Sequence, residues 1–355
     1  MKSLRAVSAL LLVLVLLVAA GGCRQPAASQ EQKTPAPETI KIGGIGPLSP
    51  PGTPALGEEL KNAMTLAIEE INEAGGVLGK KLELTFEDSQ GTPEKGQAAM
   101  EKLITKDQVV AVAGEGHSSA ALAEMEVAKR NNVPFIIAEA WSDTLTAKGY
   151  RNVFRVTVNN TMFTQKIVEF VKAMGFQRPA IVAEDSDWGI GNIKLLEPAF
   201  KEMGLQYKSM VIDRTAKDFT PQLLQLKPFK PDLLINMTTG VACYLVTKQA
   251  KEIGLAPTAN SLIFAGGADA AYPEIWETVG QAGQYLVWQA LYHPKAKFSE
   301  LTEPFVNKYK ARYGRPPTYV GLEGYDCILV LADAIKRAGS TESDKLIDAL
   351  EKTSL

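Results

Sequence analysis

The chain has 355 residues, of which 46% are hydrophobic and 22% charged, and its formal net charge is −2 at pH 7. Because charges of both signs are mixed and no lysine- or arginine-rich block occurs, it lacks the electrostatic footprint of a nucleic-acid-binding protein. The histidines are His117 and His293, and neither lies in a Cys/His cluster that could hold a metal. Cys243 and Cys327 lie in apolar helical stretches and are interpreted as buried free thiols. We therefore expect no nucleic-acid partner, no metal and no cofactor.

The amino terminus has the pattern of a secretion signal. Lys2 and Arg5 precede an apolar run over 6–20, and small residues follow it up to Cys23. A charged start, an apolar centre slightly short of a membrane span and small residues before the cleavage point are typical of a signal peptide. We predict a lipoprotein signal peptide over 1–22 and lipidation of Cys23. The alternative is an uncleaved membrane anchor, and either one places the remaining chain outside the cytoplasm.

The rest of the chain is predicted to be a tether followed by an α/β domain. Residues 23–39 are rich in Pro, Gln, Ala and Glu, which predicts a disordered tether. After them, apolar strand-like runs alternate with amphipathic helical runs, the pattern of parallel sheets covered by helices. The predicted strands are Ile40–Gly46, Leu82–Asp88, Val109–Gly114, Val133–Ala138, Ala180–Glu184, Tyr207–Ile212, Asp232–Asn236, Leu262–Ala265 and Tyr285–Gln289. Late helices are predicted over Ser299–Tyr313 and Tyr319–Ala338.

The stretch from Ile71 to Asp88 is the most informative, because it predicts a helix end, a tight turn and a strand in close succession. Before it, apolar residues recur at three- and four-residue steps from Leu56 onwards, so one face of the helix is buried. Gly75-Gly76 supplies the left-handed backbone that ends a helix. The strand alternates apolar and polar residues from Leu82 and ends on Asp88, at the sheet edge where open α/β folds place ligand groups.

This stretch resembles the pattern I-N-x-x-G-G-x-x-G-x-x-L-x-x-x-x-x-D of the leucine/isoleucine/valine-binding family of periplasmic binding proteins. The resemblance implies an α/β fold of type I, in which two lobes, each a parallel sheet flanked by helices, enclose a ligand cleft. It places lobe one at 40–156 plus 288–345 and lobe two at 157–287. Because the family continues beyond the last helix here, residues 346–355 are expected to begin a further segment.

Members of this family serve ABC importers, so the resemblance implies a monomeric, lipid-anchored, extracytoplasmic solute-binding protein that works with a permease and an ATPase. The alternative is a receptor of the same fold that reports ligand occupancy without transport. Enzymes lack their motifs here: Gly44-Ile45-Gly46-Pro47-Leu48-Ser49 has no third glycine for a dinucleotide turn, and neither G-x-S-x-G nor a Walker loop occurs. We therefore predict a binding protein and not an enzyme.

The first candidate ligand loop runs from Gly114 to Ala120. Its glycines let the backbone approach a ligand, and Ser118 or Ser119 can join the first amides of the following helix in holding a carboxylate. The resembling family uses a serine of this loop in that way, whereas the alternative is a simple N-cap. His117 is interpreted as a hydrogen-bonded wall residue rather than a catalyst.

Two tryptophans lie in further candidate loops. The loop over 138–146 corresponds to the family's second carboxylate-binding loop, where a threonine usually helps, and its candidates here are Ala140, Trp141 and Ser142. An indole offers a flat apolar wall and one N–H donor, so it cannot replace a threonine hydroxyl. Trp188 lies where the family's Y-G-x-G turn has tyrosine. We predict that both tryptophans bracket the ligand, with ordinary burial as the alternative.

Recognition of an ammonium group in the branched-chain binders relies on a tyrosine and a glutamate of lobe two, and neither is present here. Asp269 stands one residue beyond the glutamate position, where it can hold an ammonium group or cap a helix near Ala271. Leu56 replaces an aromatic residue that closes the side-chain pocket. The predicted ligand is an amino acid or a related small polar solute, and the amides, urea-like solutes and aromatic acids of other family members stay open.

Overall fold

The computed structural model describes residues 39–293 and 295–354. Its strands are β1 (Ile40–Gly46), β2 (Leu82–Asp88), β3 (Ala111–Gly114), β4 (Phe135–Ile137), β5 (Val153–Arg155), β6 (Pro179–Glu184), β7 (Lys208–Ile212), β8 (Leu233–Met237), β9 (Leu262–Ala265) and β10 (Leu286–Trp288). Its α-helices are α1 (Pro54–Glu73), α2 (Pro93–Glu101), α3 (Ser118–Arg130), α4 (Thr144–Ala147), α5 (Asn160–Met174), α6 (Asp187–Glu202), α7 (Thr220–Leu224), α8 (Gly240–Glu252), α9 (Pro273–Val279), α10 (Thr302–Tyr313), α11 (Tyr319–Ala338) and α12 (Ser343–Leu350). A π-helical turn, Lys102–Lys106, continues α2, and short 3₁₀ turns occur at Lys227–Phe229, Ala268–Ala271 and Gly280–Gly283.

The strands form two parallel sheets. The first sheet has five strands in the order β2-β1-β3-β4-β5, and the second has five in the order β10-β9-β8-β6-β7. We call the parts built on them lobe one and lobe two. In lobe one, Ile42 of β1 is in register with Leu84 of β2 on one side and Ala111 of β3 on the other. Central strands such as β3, β6 and β8 are fully buried, as expected when helices cover both faces of a sheet. The predicted α/β class with two parallel sheets is confirmed.

The predicted helix–turn–strand unit is present between α1 and β2. Leu60 and Ala63 of α1 are completely buried, on the face that the three- and four-residue spacing indicates. Gly76 follows the helix at φ +76°. A Cβ atom at this position would lie 2.1 Å from the carbonyl oxygen of Lys80, so both the left-handed backbone and the close approach require glycine.

The chain passes between the lobes from one edge of each sheet. β5 is the edge strand of the first sheet and leads through α5 into β6 of the second. β10 is an edge strand of the second sheet, and after it α11 returns to pack against α1, where a Cβ atom on Gly324 would lie 3.2 Å from the Leu60 carbonyl oxygen. β2 and β7 therefore lie at the two edges furthest from these connections. The resemblance places the end of the first segment of lobe one at residue 156, and Val153–Arg155, for which no strand is predicted, pairs with β4 as β5.

Several predicted strands are longer than the observed ones. β3 begins at Ala111 rather than Val109, and β4 begins at Phe135 rather than Val133. The first predicted residue of each strand bonds to the preceding helical segment instead: Val109 N donates to the carbonyl oxygen of Leu103 at 3.2 Å, and Val133 N donates to that of Ala128 at 3.0 Å. Apolar sequence thus marks burial here, while hydrogen-bond geometry decides where a strand starts.

The remaining observations concern the cysteines, the helices and the amino terminus. Cys243 in α8 and Cys327 in α11 are buried free thiols, as predicted. No helix among the described residues is both long enough and apolar enough to cross a bilayer. The predicted signal peptide over 1–22 and Cys23 lie outside the described residues, as does the predicted tether except for its last residue.

Candidate functional site

A cleft of about 180 Å³ lies between the two lobes. Its walls are mainly loops and helix starts that follow the carboxyl ends of strands, the position where open α/β sheets hold ligands. Lobe one contributes Thr53, Leu56, Gly91, Pro93, Gly116, His117, Ser118, Ser119, Glu139 and Trp141. Lobe two contributes Glu184, Asp185, Ser186, Trp188, Arg214, Thr239, Gly267, Ala268 and Asp269.

Ser118 and Ser119 begin α3 at the wall of lobe one. The N-cap residue, His117, makes no side-chain capping bond, so the first amides of this helix have no intrahelical partner. Ser118 is buried, and its Oγ accepts a hydrogen bond from the backbone N–H of Ser142 at 3.0 Å. Ser142 thus supports the wall without lining it, and Ala140 packs in the apolar core of lobe one. These two predicted ligand residues lie outside the cleft wall.

Trp141 lines the cleft in a fixed orientation. Its indole ring stacks on Tyr319 with ring centroids 6.3 Å apart and an interplanar angle of 29°. Its Nε1–H lies 3.1 Å from both Glu139 Oε2 and Thr157 Oγ1. Because this single donor is already used within the protein, Trp141 offers a ligand only the flat apolar face of its ring.

Glu139 and Glu323 form a buried pair of carboxyl groups beneath Trp141. Burial raises the pKa of Glu139 well above its usual range, and the neighbouring Glu323 raises it further. Burial also raises the pKa of Glu323, to about 7, although a hydrogen bond from Glu139 favours its ionised form. Glu323 accepts a second hydrogen bond from Thr157 Oγ1 at 2.5 Å. Both carboxyl groups therefore favour the neutral form more than an exposed glutamate would, and Thr157 Oγ1, which contacts both Trp141 Nε1 and Glu323 Oε1, links the cleft wall to α11.

His117 lies buried between donors from both lobes. Its Nε2 is 3.2 Å from the backbone N of Thr53, and its Nδ1 is 2.9 Å from Nη1 of Arg214. A neutral imidazole carries one N–H group and accepts a hydrogen bond only at its other ring nitrogen. One of the two contacts is therefore an N–H group facing another N–H group and not a hydrogen bond. Burial, and secondly the charge of Arg214, hold the pKa of His117 well below its usual range. The ring is therefore a neutral wall residue.

Arg214 connects the two lobes directly. It follows β7 of lobe two, and its Nη2 donates to the carbonyl oxygen of Gly91 in lobe one at 2.6 Å. Its Nη1 lies 4.0 Å from Glu184 Oε1, and only 14% of the side chain is exposed. Among the described residues that line the cleft, Arg214 is the only cation at neutral pH.

Glu184 is the first acidic group in the wall of lobe two. Its Oε2 accepts hydrogen bonds from the backbone N and the Oγ1 of Thr239, at 2.9 and 2.8 Å. Its Oε1 accepts from Ser186 Oγ at 2.8 Å. These donors fix the carboxylate at the end of β6, where it faces the cleft.

Asp269 is the second acidic group, and it is almost completely buried. Its Oδ1 accepts from the backbone N of Gly240 at 2.8 Å, so it caps the start of α8 and not the predicted helix near Ala271. Burial raises the pKa of Asp269 to about 7, and the nearby Glu184 contributes to the rise. Asp269 has no basic partner among the described residues, and no group of acids, histidines and cysteines in this part of the chain could hold a metal ion.

Trp188 lines the cleft from lobe two and is 7% exposed. Its backbone carbonyl accepts hydrogen bonds from Nδ2 of Asn160 at 3.2 Å and of Asn192 at 2.8 Å, which fix the first turn of α6. Each lobe thus contributes one tryptophan to the same cleft. Trp141 and Trp188 are both buried and both line the cleft, and contact of their rings with a ligand stays a prediction.

Of the predicted ligand residues, His117, Ser118, Ser119, Trp141, Trp188 and Asp269 come together in the cleft. Sequence reasoning missed Glu139, Glu184 and Arg214. Each of them ends or closely follows a strand, so the strand pattern could have indicated their position. Asp88, which the sequence places at the same edge, does not line the cleft, because its Oδ1 accepts from Leu48 N and Gln90 N, both at 2.8 Å.

Comparison with known sequences agrees with this architecture. The family model described as "Periplasmic binding protein" matches residues 39–355. The "Leu/Ile/Val-binding protein homolog 7" of Brucella abortus (strain 2308) is 29% identical over 342 residues, which cover 91% of this chain and 84% of that protein. The "Leucine-, isoleucine-, valine-, threonine-, and alanine-binding protein" of Pseudomonas aeruginosa is 24% identical and covers 89% and 83%.

Solved structures show the same fold. A leucine binding protein, LivK, from Thermotoga maritima superimposes with a TM-score of 0.81 at 29% identity and covers 88% of this chain and 87% of its own. A solute binding protein of an ABC transporter from Rhodopseudomonas palustris, in complex with 3,4-dihydroxybenzoic acid, gives a TM-score of 0.74 at 25% identity and covers 88% and 84%. These similarities confirm the predicted type I fold. The chain belongs to the periplasmic binding protein family, as the resemblance of its sequence predicts.

Proposed function

We propose that this protein is the solute-binding component of an ABC importer and that its cleft binds an amino acid in its zwitterionic form. The observation that carries the proposal is that the cleft holds an anion-binding helix start in one lobe and a pair of carboxyl groups in the other. Lobe one presents the uncapped start of α3, and lobe two presents the carboxyl groups of Glu184 and Asp269. An amino acid carries a carboxylate that suits the helix start of lobe one and an ammonium group that suits the carboxyl groups of lobe two.

The start of α3 supports a carboxylate. The partial positive charge at a helix N-terminus and its unpaired amides favour an anion. Ser118 and Ser119 both line the cleft at this helix start, and because Ser119 Oγ is bonded to Asp187, Ser118 supplies the available hydroxyl group. Ser118 already accepts a bond from Ser142, which leaves its own O–H free to donate.

The acidic wall supports an ammonium group. Asp269 is buried with a pKa raised to about 7, so its ionised form lacks the stabilisation that a cation would supply. A ligand ammonium between Asp269 and Glu184 would provide that charge and form charge-assisted hydrogen bonds. Asp269 then replaces the glutamate that the branched-chain binders use.

The relatives support an amino acid but leave its side chain open. The names of the Brucella and Pseudomonas proteins include leucine, isoleucine and valine, whereas the Rhodopseudomonas protein binds an aromatic acid. An aromatic acid has a carboxylate but no ammonium group, so it would leave Asp269 without a cationic partner. Leu56, which lines the cleft, gives no reason to choose a branched side chain.

The proposal extends to the cellular setting. We place the domain outside the cytoplasm, anchored through a lipid on Cys23, as a monomer that presents its ligand-bound, closed form to a permease and an ATPase. Closure follows if the ligand binds both walls, because it then has a higher affinity for the closed form than for the open one. Loss of lipid labelling in a Cys23→Ala variant would support the anchor, and unchanged labelling would contradict it.

The test of the binding function is a thermal-shift screen followed by calorimetry. The ligands are alanine, threonine, leucine, acetamide, urea and 4-hydroxybenzoate, and a ligand at about 100 times its Kd should add about 2.7 kcal/mol to the free energy of unfolding. We expect stabilisation by amino acids and its loss in Asp269→Asn. Stabilisation by 4-hydroxybenzoate, acetamide or urea alone would contradict the amino-acid assignment.

A further inference from the structure

Arg214 lies at the end of the cleft furthest from the connections between the lobes. The connections leave from β5 and β10, whereas Gly91 follows β2 and Arg214 follows β7, the opposite edge strands. Four strand spacings of about 4.8 Å separate the two edges of each sheet by roughly 19 Å. We call the end between the loops after β2 and β7 the outer end of the cleft.

At this outer end the guanidinium group of Arg214 spans the gap between the lobes. It donates to Gly91 O at 2.6 Å and contacts His117 Nδ1 at 2.9 Å, both in lobe one. On its own lobe it lies 4.0 Å from Glu184. Because the side chain is 14% exposed, it fills this end of the cleft instead of extending into solvent.

The end of the cleft nearer the connections between the lobes, which we call the inner end, is held more rigidly than the outer end. Trp141 is stacked on Tyr319, and its N–H is bonded to Glu139 and Thr157. Displacing the indole would break those contacts and disturb the buried Glu139 pair. Arg214, in contrast, is a long side chain with rotatable bonds, and it contacts lobe one only through the end of its guanidinium group.

We propose that Arg214 is a specificity-determining residue that sets the maximum length of the ligand side chain that the closed cleft admits. The inference rests on the proposed amino-acid site, because the start of α3 and the pair Glu184 and Asp269 fix the two ligand head groups. Their positions leave the outer end for part of the side chain, and Arg214 closes that end.

The experiment is calorimetry with a linear series of α-amino acids: alanine, norvaline, norleucine and 2-aminooctanoic acid. The head groups are identical throughout, so only side-chain length varies. We expect the affinity of the wild-type protein to fall beyond a limiting length, and Arg214→Ala to shift that limit to a longer member. For the longest ligands, the ratio of their affinity to that of alanine should rise by about tenfold or more, the effect of one misfitted methylene.

Two variants test whether Arg214 limits the length of the ligand side chain or only helps to hold the lobes together. Asp187→Ala removes another contact between the lobes, the one with Ser119, and Asp187 itself does not line the cleft, so the variant should weaken all members of the series equally. Arg214→Met keeps most of the side-chain length but loses its hydrogen bonds, and it should retain the wild-type length limit with lower affinity. It also keeps the test valid if Arg214→Ala does not fold.

The outcomes distinguish the two proposals. If the wild-type protein binds no amino acid, the proposed function and this inference both fail. If it binds the series but Arg214→Ala keeps the same length limit, this inference alone fails. A shifted limit in Arg214→Met or in Asp187→Ala would also overturn it, because closure and not side-chain length would then set the selectivity.

Discussion

Ser119 in lobe one and Asp187 in lobe two exchange two hydrogen bonds: Ser119 Oγ donates to Asp187 Oδ2 at 2.8 Å and accepts from Asp187 N at 3.0 Å. Both side chains begin helices, α3 and α6, that follow central strands of the two sheets. The lobes are therefore held together by protein groups as well as by any ligand. The hydroxyl of Ser119, a candidate ligand group, is thus already hydrogen-bonded to the other lobe, a contact that the sequence alone could not indicate.

We expect Ser119→Ala to weaken ligand binding about fivefold, because a hydrogen bond of this kind contributes about 1 kcal/mol to the closed form. Asp187→Ala should have a similar effect. The double variant should be no weaker than either single variant if the two residues act through this contact. Calorimetry on the three variants measures the coupling, and fully additive losses would show that the contact does not contribute to closure.

The pH dependence of affinity should report Asp269. In the empty protein the pKa of Asp269 is about 7, so the fraction that is ionised rises between pH 6 and pH 8. An ammonium ligand needs the ionised form, and we expect its affinity to rise by roughly tenfold over this interval, with proton release on binding near pH 7. Calorimetry in buffers of different ionisation enthalpy measures both quantities.

The control is Asp269→Asn, which has a similar shape but no titrating group. It should bind an amino acid more weakly and lose this pH dependence. The raised pKa also affects folding: the neutral acid is favoured in the folded protein, so its contribution to stability is present at low pH and is lost as the pH rises through 7. A wild-type affinity that is constant from pH 6 to pH 8 would rule out Asp269 as the ammonium partner.

His117 should have the opposite effect on stability. Its pKa is well below that of an unfolded histidine, because the folded site is buried and faces Arg214. The unfolded chain therefore binds the proton more readily below about pH 6.5, and the contribution of His117 to stability is lost as the pH falls further. Thermal unfolding of wild type and His117→Gln between pH 7 and pH 5 isolates this contribution. A difference between them that does not change with pH would contradict it.

Glu139 and Glu323 should make stability fall on the alkaline side. The pKa of Glu323 is about 7, and burial raises that of Glu139 well above its usual range, so both folded values exceed the unfolded ones. The contribution of a raised carboxyl pKa is lost as the pH rises through the folded value, at up to about 1.4 kcal/mol per pH unit for one proton. We expect Glu139→Gln, which has a similar shape but no titrating group, to show a smaller loss of stability between pH 5 and pH 8. Denaturant unfolding measures the loss, and identical slopes in the two proteins would contradict a raised pKa of Glu139.

The sequence predicts the fold well because each element depends on local pattern. Alternation from Leu82, the spacing of apolar residues in α1 and the glycines after it all indicate structures that neighbouring residues determine. The edge strand β5 is harder, because Val153–Arg155 is too short for alternation to identify it. Its pairing with β4 decides its conformation.

The candidate site is predictable only in part. Loop residues such as Ser118 and Trp188 can be found because strand ends mark the cleft. Arg214 and Glu139 look like ordinary charged loop residues in the sequence, and only the approach of the second lobe or of α11 buries them. Ser142 is the opposite case, because the sequence predicts it as a ligand residue. In the structure its backbone supports Ser118, and its side chain lies outside the cleft wall.

The placement of the tryptophans has an optical consequence. The sequence contains four of them, and Trp141 and Trp188 lie in the cleft, one in each lobe. Trp276, in contrast, is 41% exposed and does not line the cleft. A ligand bound in the cleft would change the surroundings of Trp141 and Trp188 together, so we expect the intrinsic fluorescence of the protein to report occupancy. Because the two rings belong to different lobes, their emission would also respond to a change in the distance between the lobes, without any attached dye.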